Sequence, residues 1–152
     1  MDFPELRDLY KDYKLSSGSQ VEENHFGTLL MFFPSLLVVA SDGVVDEEER
    51  VYVTYLAKFM SDTFKNEIAV EQRDVLEKNY LSDLDFLLEN LSVWEPKFIQ
   101  TLKSYLQTHE DAKEDIVDIL YLFADASDGV SKEEEQKISE LKKILDLRDV
   151  EL

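Results

Sequence analysis

The chain has 152 residues and a formal charge of −18, from 34 acidic against 16 basic side chains. Its length predicts one domain with its own core. The charge argues against nucleic-acid binding and favours metal cations or a basic protein surface, although it would also keep a protein dissolved without any binding role. The absence of cysteine from the sequence excludes disulfides and thiolate chemistry and fits the reducing cytoplasm.

The N-terminal part of the chain predicts a short helix followed by a long apolar one. Apolar residues at helical spacing predict a helix over 3–14, with a loop at 16–20. The next helix is predicted over 22–41, with a break or kink near Pro34. Its segment 26–40 is apolar on nearly all sides but is shorter than a membrane span. We therefore expect a buried central helix and no direct membrane insertion.

The rest of the chain also shows helical periodicity. A helix that starts at Asp46 carries Val53, Leu56 and Met60 on one face. Two further helices are predicted over 67–79 and over 83–91. Three more are predicted to begin at Trp94-Glu95-Pro96, at Asp111 and at Ser131. Without sustained two-residue alternation, the sequence predicts an all-α, compact single-domain bundle of about seven helices.

Two acidic segments, 36–49 and 122–135, repeat each other. In each copy an Asp-Gly pair, at Asp42 and at Asp128, ends one helix, and a carboxylate-rich helix start follows. The apolar residues of the following helix lie one residue closer to the Asp-Gly pair in the second copy than in the first. The second turn is therefore one residue shorter. The repeat predicts two acidic helical hairpins, whose second helices begin with capping boxes at 46–49 and 131–134.

The first acidic turn resembles half of an EF-hand loop. Gly43 and Glu49 occupy the glycine and closing positions of such a loop. The ligand positions four and two residues before Asp42 hold Val38 and Ala40, which cannot bind a cation. We therefore reject an EF-hand, because half of the coordination shell is missing.

A simpler divalent-cation site is compatible with the repeat, with Mg²⁺, Ca²⁺ or Mn²⁺ as the candidate ion. If the hairpins pack side by side, six carboxylates could converge on it: Asp42, Asp46, Glu49, Asp125, Asp128 and Glu134. The alternative is that these acids only cap helices and complement the helix dipole. The residues leave both interpretations open. No nucleophile motif or phosphate-binding glycine loop indicates catalysis, so we expect no enzyme.

The repeated motif resembles that of the TerB-like tellurite-resistance family. The residues that carry the resemblance are 40–49 and their echo at 126–134. The resemblance covers 22–147 as a TerB-like helical domain, with 1–21 as an N-terminal helix and loop and 148–152 as a tail. It implies a compact all-α fold of paired hairpins, a role in bacterial stress and tellurite resistance, divalent-metal binding and membrane-protein partners.

Two functions follow from these observations. The first is a non-catalytic, cytoplasmic TerB-like module that binds a divalent cation or a basic partner through its acidic turns. The alternative is a helical protein-interaction scaffold in which the acids only cap helices. The sequence does not fix the oligomeric state.

Overall fold

The structure is a computed structural model that describes residues 3–41, 47–126 and 131–147, except for the side chains of 48, 49 and 122–126. The described residues form seven helices and no strand, which confirms the predicted all-α bundle. The helices are α1 (Pro4–Ser17), α2 (Glu23–Val39), α3 (Glu47–Asp62), α4 (Val70–Glu89), α5 (Leu91–Thr108), α6 (Ala112–Ala126) and α7 (Lys132–Ile144).

Helix α2 lies at the centre of the bundle. It packs against all six of the other helices, and every side chain over 32–39 is buried. This confirms the predicted central apolar helix. The predicted break is not observed, because α2 continues through Pro34; burial on all sides outweighs the hydrogen bond that proline removes. None of the helices in the described ranges is long and apolar enough to cross a membrane.

Two helix boundaries differ from the sequence prediction. The helices predicted over 67–79 and 83–91 are one helix, α4, because no glycine or proline interrupts 80–83 and Leu84 and Leu87 continue the buried face of Leu76 and Tyr80. The following helix begins at Leu91 rather than near Trp94, and Pro96 therefore lies inside α5.

Asn90 causes the early start of α5. Its side-chain amide donates to the carbonyl of Phe86 at 2.9 Å, which closes α4. Its own carbonyl accepts from the amides of Val93 and Trp94 at 3.1 and 3.2 Å, which opens α5. One residue thus joins the two helices, and they leave no room for a separate loop.

The apolar stripes that follow the two acidic turns contribute to one core. Val53, Leu56 and Met60 of α3 are buried, as are Leu141 of α7 and Leu145 directly after it, at the matching places of the second copy. The turns that precede them, 42–46 and 127–130, lie outside the described residues. The side-by-side packing of the two acidic hairpins therefore stays a prediction.

Candidate functional site

Of the six predicted cation ligands, only Glu134 has both its backbone and its side chain within the described residues. Asp42, Asp46 and Asp128 lie outside the described residues, and so do the side chains of Glu49 and Asp125. Within the described residues, no group of three or more acidic or histidine side chains could hold a metal ion. Convergence of the six carboxylates on a cation stays a prediction.

Glu134 is fully described and forms the capping box that the sequence predicts. Its backbone amide donates to Ser131 Oγ at 3.1 Å, and its carboxylate Oε1 accepts from the Ser131 amide at 2.9 Å. Ser131 has an extended backbone and lies immediately before α7. The cap satisfies two amides that would otherwise lack partners at the start of this helix. One carboxylate oxygen of Glu134 is therefore already engaged.

A cleft of about 280 Å³ lies beside this cap, between the end of α2 and helices α5 and α7. Lys137 lies in the cleft, with its Nζ 3.4 Å from Glu95 Oε2 and 3.8 Å from Glu140 Oε2. The lysine side chain is 17% exposed, so its charge is only partly screened by water. The single positive charge of the lysine offsets part of the negative charge of the two glutamates, which makes this cleft a poorer cation site than its acid content suggests.

The described residues also contain a buried polar cluster that the sequence analysis missed. Asp83 of α4 is 3% exposed and is the only buried carboxylate in the described part of the chain. Its Oδ1 accepts from the Tyr13 hydroxyl and its Oδ2 accepts from the Ser19 hydroxyl, both at 2.9 Å. The sequence contains a signal for Asp83: it follows Tyr80 by three residues and precedes Leu87 by four, and this helical spacing places it on the buried face of α4.

The hydrogen bonds of this cluster hold the segment that connects α1 to α2. Helix α1 ends at Gly18, whose φ of +69° suits glycine. Beyond it, Ser19 Oγ accepts from the Val21 amide at 3.1 Å, and the Val21 carbonyl accepts from the Tyr10 hydroxyl at 2.8 Å. Asp83 therefore joins α4 to both α1 and the connection that follows it.

The environment of Asp83 disfavours its charge. Burial raises the pKa of Asp83 from 3.8 to about 6, although the hydrogen bonds from Ser19 and Tyr13 lower it in part. The pKa of Tyr13 is raised by burial and further by the negative charge of Asp83. No described Lys or Arg forms an ion pair with Asp83, so two hydroxyl donors hold a carboxylate that can take up a proton in mildly acidic solution. This arrangement suits a structural or proton-sensing role.

A stripe of aromatic and aliphatic side chains follows α3 beside its buried face: two of its members are half-exposed, and the other two, Tyr52 and Phe59, are partly buried and pack against the core. We call Val51, Tyr52, Tyr55 and Phe59 the α3 ladder. Val51 is 49% exposed and Tyr55 is 46% exposed. The Tyr55 ring lies 6.5 Å from the rings of both Tyr52 and Phe59, measured between centroids. Neighbouring exposed apolar side chains of this kind form a candidate interaction site.

Comparisons with protein-family models, with characterised proteins and with solved structures found no match to this chain. The relation to the TerB-like family therefore rests on the two acidic motifs of the sequence alone.

Proposed function

We propose that the chain is a non-catalytic, cytoplasmic TerB-like module that acts by binding a basic protein surface. The observation that carries this proposal is that the excess of acidic side chains lies on the surface of the protein. Acidic side chains outnumber basic ones by 34 to 16, and all the described carboxylates except Asp83 lie at least partly on the surface. A basic partner would gain attraction from this field at encounter and in the complex.

The basic side chains offset only part of that field, because they are fewer than half as many as the acidic ones, and several described ones are paired with particular carboxylates. Arg50 lies 3.0 Å from Asp85, and Lys97 lies 3.0 Å from Asp12. Lys113 contacts two carboxylates, at 3.0 and 3.5 Å. Exposed pairs of this kind add little stability, but they leave the remaining carboxylates as the charges that a partner would meet.

The surface formed by α3 and α6 supports the proposal most directly. These helices pack against each other. In sequence, α3 has four carboxylates against two basic residues, and α6 has four against one. The half-exposed Val51 and Tyr55 lie on α3 itself, and the exposed Glu47 precedes Val51 by one helical turn, so negative charge and exposed apolar area occur on the same helix. The resemblance to the TerB-like family supports a role in bacterial stress or tellurite resistance, with a basic region of a membrane protein as one candidate partner.

Two variants of equal charge test whether a particular surface does the binding. One variant carries Glu47→Gln, Asp115→Asn and Asp118→Asn on α3 and α6. The control carries Glu67→Gln, Glu71→Gln and Asp74→Asn at or near the start of α4. All six side chains are exposed, and each variant loses three carboxylates.

The probe is a lysine-rich peptide with a fluorescent label, titrated at about 150 mM salt, where surface charges act over about 8 Å. We expect the α3–α6 variant to bind it several-fold more weakly than the α4 control. Equal binding by both variants would mean that only net charge matters, and no binding by the wild type would rule out an interaction module for basic partners.

A second function, divalent-cation binding, is favoured by the duplication of the acidic turn in the sequence. A bound ion would stabilise the folded state by mass action. Millimolar Ca²⁺, Mg²⁺ or Mn²⁺ should then raise the melting temperature more than monovalent salt of matched ionic strength. The variant with Asp42→Asn and Asp128→Asn should lose that difference. If divalent and monovalent salts act equally on the wild type, the acids at the turns serve as caps alone.

A further inference from the structure

The α3 ladder has the dimensions of a helix-binding surface. Val51, Tyr55 and Phe59 follow each other at four-residue spacing, so they span two helical turns, or about 12 Å. Val53, Leu56 and Met60 on the inner face of the same helix are buried in the core, and Phe59 is partly buried against it. Because the inner face is fixed by packing, the outer face is held rigid, and binding to it costs little conformational entropy.

The charge of the molecule indicates which kind of partner would bind to the ladder. A second copy of the chain would bring two surfaces of a molecule with charge −18 together, and like charges at an interface oppose association. A basic segment would instead gain attraction, because both α3 and its neighbour α6 carry more acidic than basic residues. Arg50, one of the two basic residues of α3, is already 3.0 Å from Asp85.

We propose that the α3 ladder docks a basic amphipathic helix of a partner protein. The apolar stripe of that helix packs on Val51, Tyr55 and Phe59, and its Lys and Arg side chains reach the carboxylates of α3 and α6. A helix repeats its apolar residues every three or four positions, which matches the spacing of the ladder. The inference rests on the proposed function and adds to it the site and the secondary structure of the partner.

A pair of peptides separates the apolar contribution from the charge. The first is a labelled Leu/Lys peptide of about 14 residues with its leucines on one helical face, a length at which a helix begins to be stable. The second has serine in place of every leucine and therefore has the same charge. We expect the wild-type chain to bind the Leu/Lys peptide at least about tenfold more tightly at about 150 mM salt.

Matched substitutions locate the site. Val51→Ser with Tyr55→Ser removes the two most exposed members of the ladder, and Val75→Ser with Val93→Ser removes two valines that are 58% and 54% exposed on α4 and α5. We expect the ladder variant to lose the preference for the Leu/Lys peptide and the control to keep it. If both variants keep the preference, the ladder is not the docking site.

A second measurement tests the docking site without the ladder variant, so its result does not depend on whether that variant folds. Since the sequence has no cysteine, one fluorophore can be attached at Lys58→Cys on α3 or, as the control, at Ser92→Cys on α5; both positions are exposed. Addition of the Leu/Lys peptide should change the emission at 58 and leave that at 92 unchanged.

The outcomes separate this inference from the proposed function. An equal emission change at both positions, or none at 58, would overturn the docking site. If the isocharge α3–α6 and α4 variants still differed in their binding of the lysine-rich peptide, the proposed function would stand without the ladder. Failure of the wild type to bind any basic peptide would remove both.

Discussion

Asp83→Asn provides the sharpest test of the buried cluster. Asparagine has nearly the same shape as aspartate and cannot ionise, so it imitates the protonated form of the carboxyl at every pH. In the wild type, Asp83 is 3% exposed, and its two oxygens accept from the hydroxyls of Tyr13 and Ser19. If burial disfavours the charge, as the pKa of about 6 implies, the wild type and the variant must respond differently to pH.

The sign and size of the effect follow from linkage between protonation and folding. The pKa of Asp83 is about 6 in the folded chain against 3.8 ordinarily, so the folded state holds the proton more tightly. The contribution of Asp83 to the free energy of unfolding therefore falls as pH rises through this interval, by about 3 kcal/mol in total. About 1.4 kcal/mol of that fall lies between roughly pH 5 and pH 7.5. This window avoids the isoelectric region near 4.3, where proteins associate.

The assay is urea denaturation of wild type and Asp83→Asn at both ends of that window. The other carboxylates are common to both chains and cancel in the difference between their free energies of unfolding. We expect that difference to move by about 1.4 kcal/mol in favour of the asparagine variant as pH rises. Asp74→Asn, on the exposed side of α4, should leave the corresponding difference nearly constant. A constant difference for Asp83→Asn as well would show that the carboxyl is not desolvated.

Two smaller perturbations test local features of the helices. Gly27→Ala should stabilise the chain by about 0.5–1 kcal/mol, because a Cβ at this place in α2 would meet only Leu6 Cδ2, at 3.9 Å; a lower denaturation midpoint would contradict the observed space. Ser131→Ala should cost about 1 kcal/mol, because the Glu134 amide loses its acceptor. Ser139→Ala, at an exposed position of the same helix, should change the midpoint little, and equal effects of the two serine substitutions would argue against the cap.

The bundle was largely predictable because its helices follow local rules. The stripe of Val53, Leu56 and Met60 repeats at helical spacing, and the core buries it as predicted. Likewise the cap at Ser131 was predictable because its partner lies three residues away. The division of α4 into two helices was wrong, since periodicity does not show whether a second apolar run continues the face of the first. The start of α5 was missed because Pro96 is typical of a first turn but is tolerated inside this helix.

The candidate sites depended on contacts that no local pattern contains. Tyr13 and Asp83 are 70 residues apart in the chain, and only the packing of α1 against the rest of the bundle brings them together. The spacing in α3 predicted which residues face the core. It did not predict that Val51 and Tyr55 would be left half-exposed, because another helix could have covered the outer face. Long-range packing therefore decides both the buried cluster and the docking surface.

The buried cluster makes residues 3–21 of the N-terminal segment part of the structural frame of the bundle. This segment lies outside the TerB-like resemblance, yet it supplies both hydroxyl groups that Asp83 accepts from, those of Tyr13 and Ser19. A chain reduced to 22–147 would lose both donors together with the apolar contacts of α1, so we expect it to be less stable than the full chain. Tyr13 also lies 5.2 Å from Trp94, measured between ring centroids, and is completely buried. Its loss would expose to water the aromatic side chains that it covers, including Trp94 and Phe98. The bundle to which α3 belongs therefore includes packing by residues that the family motif does not include.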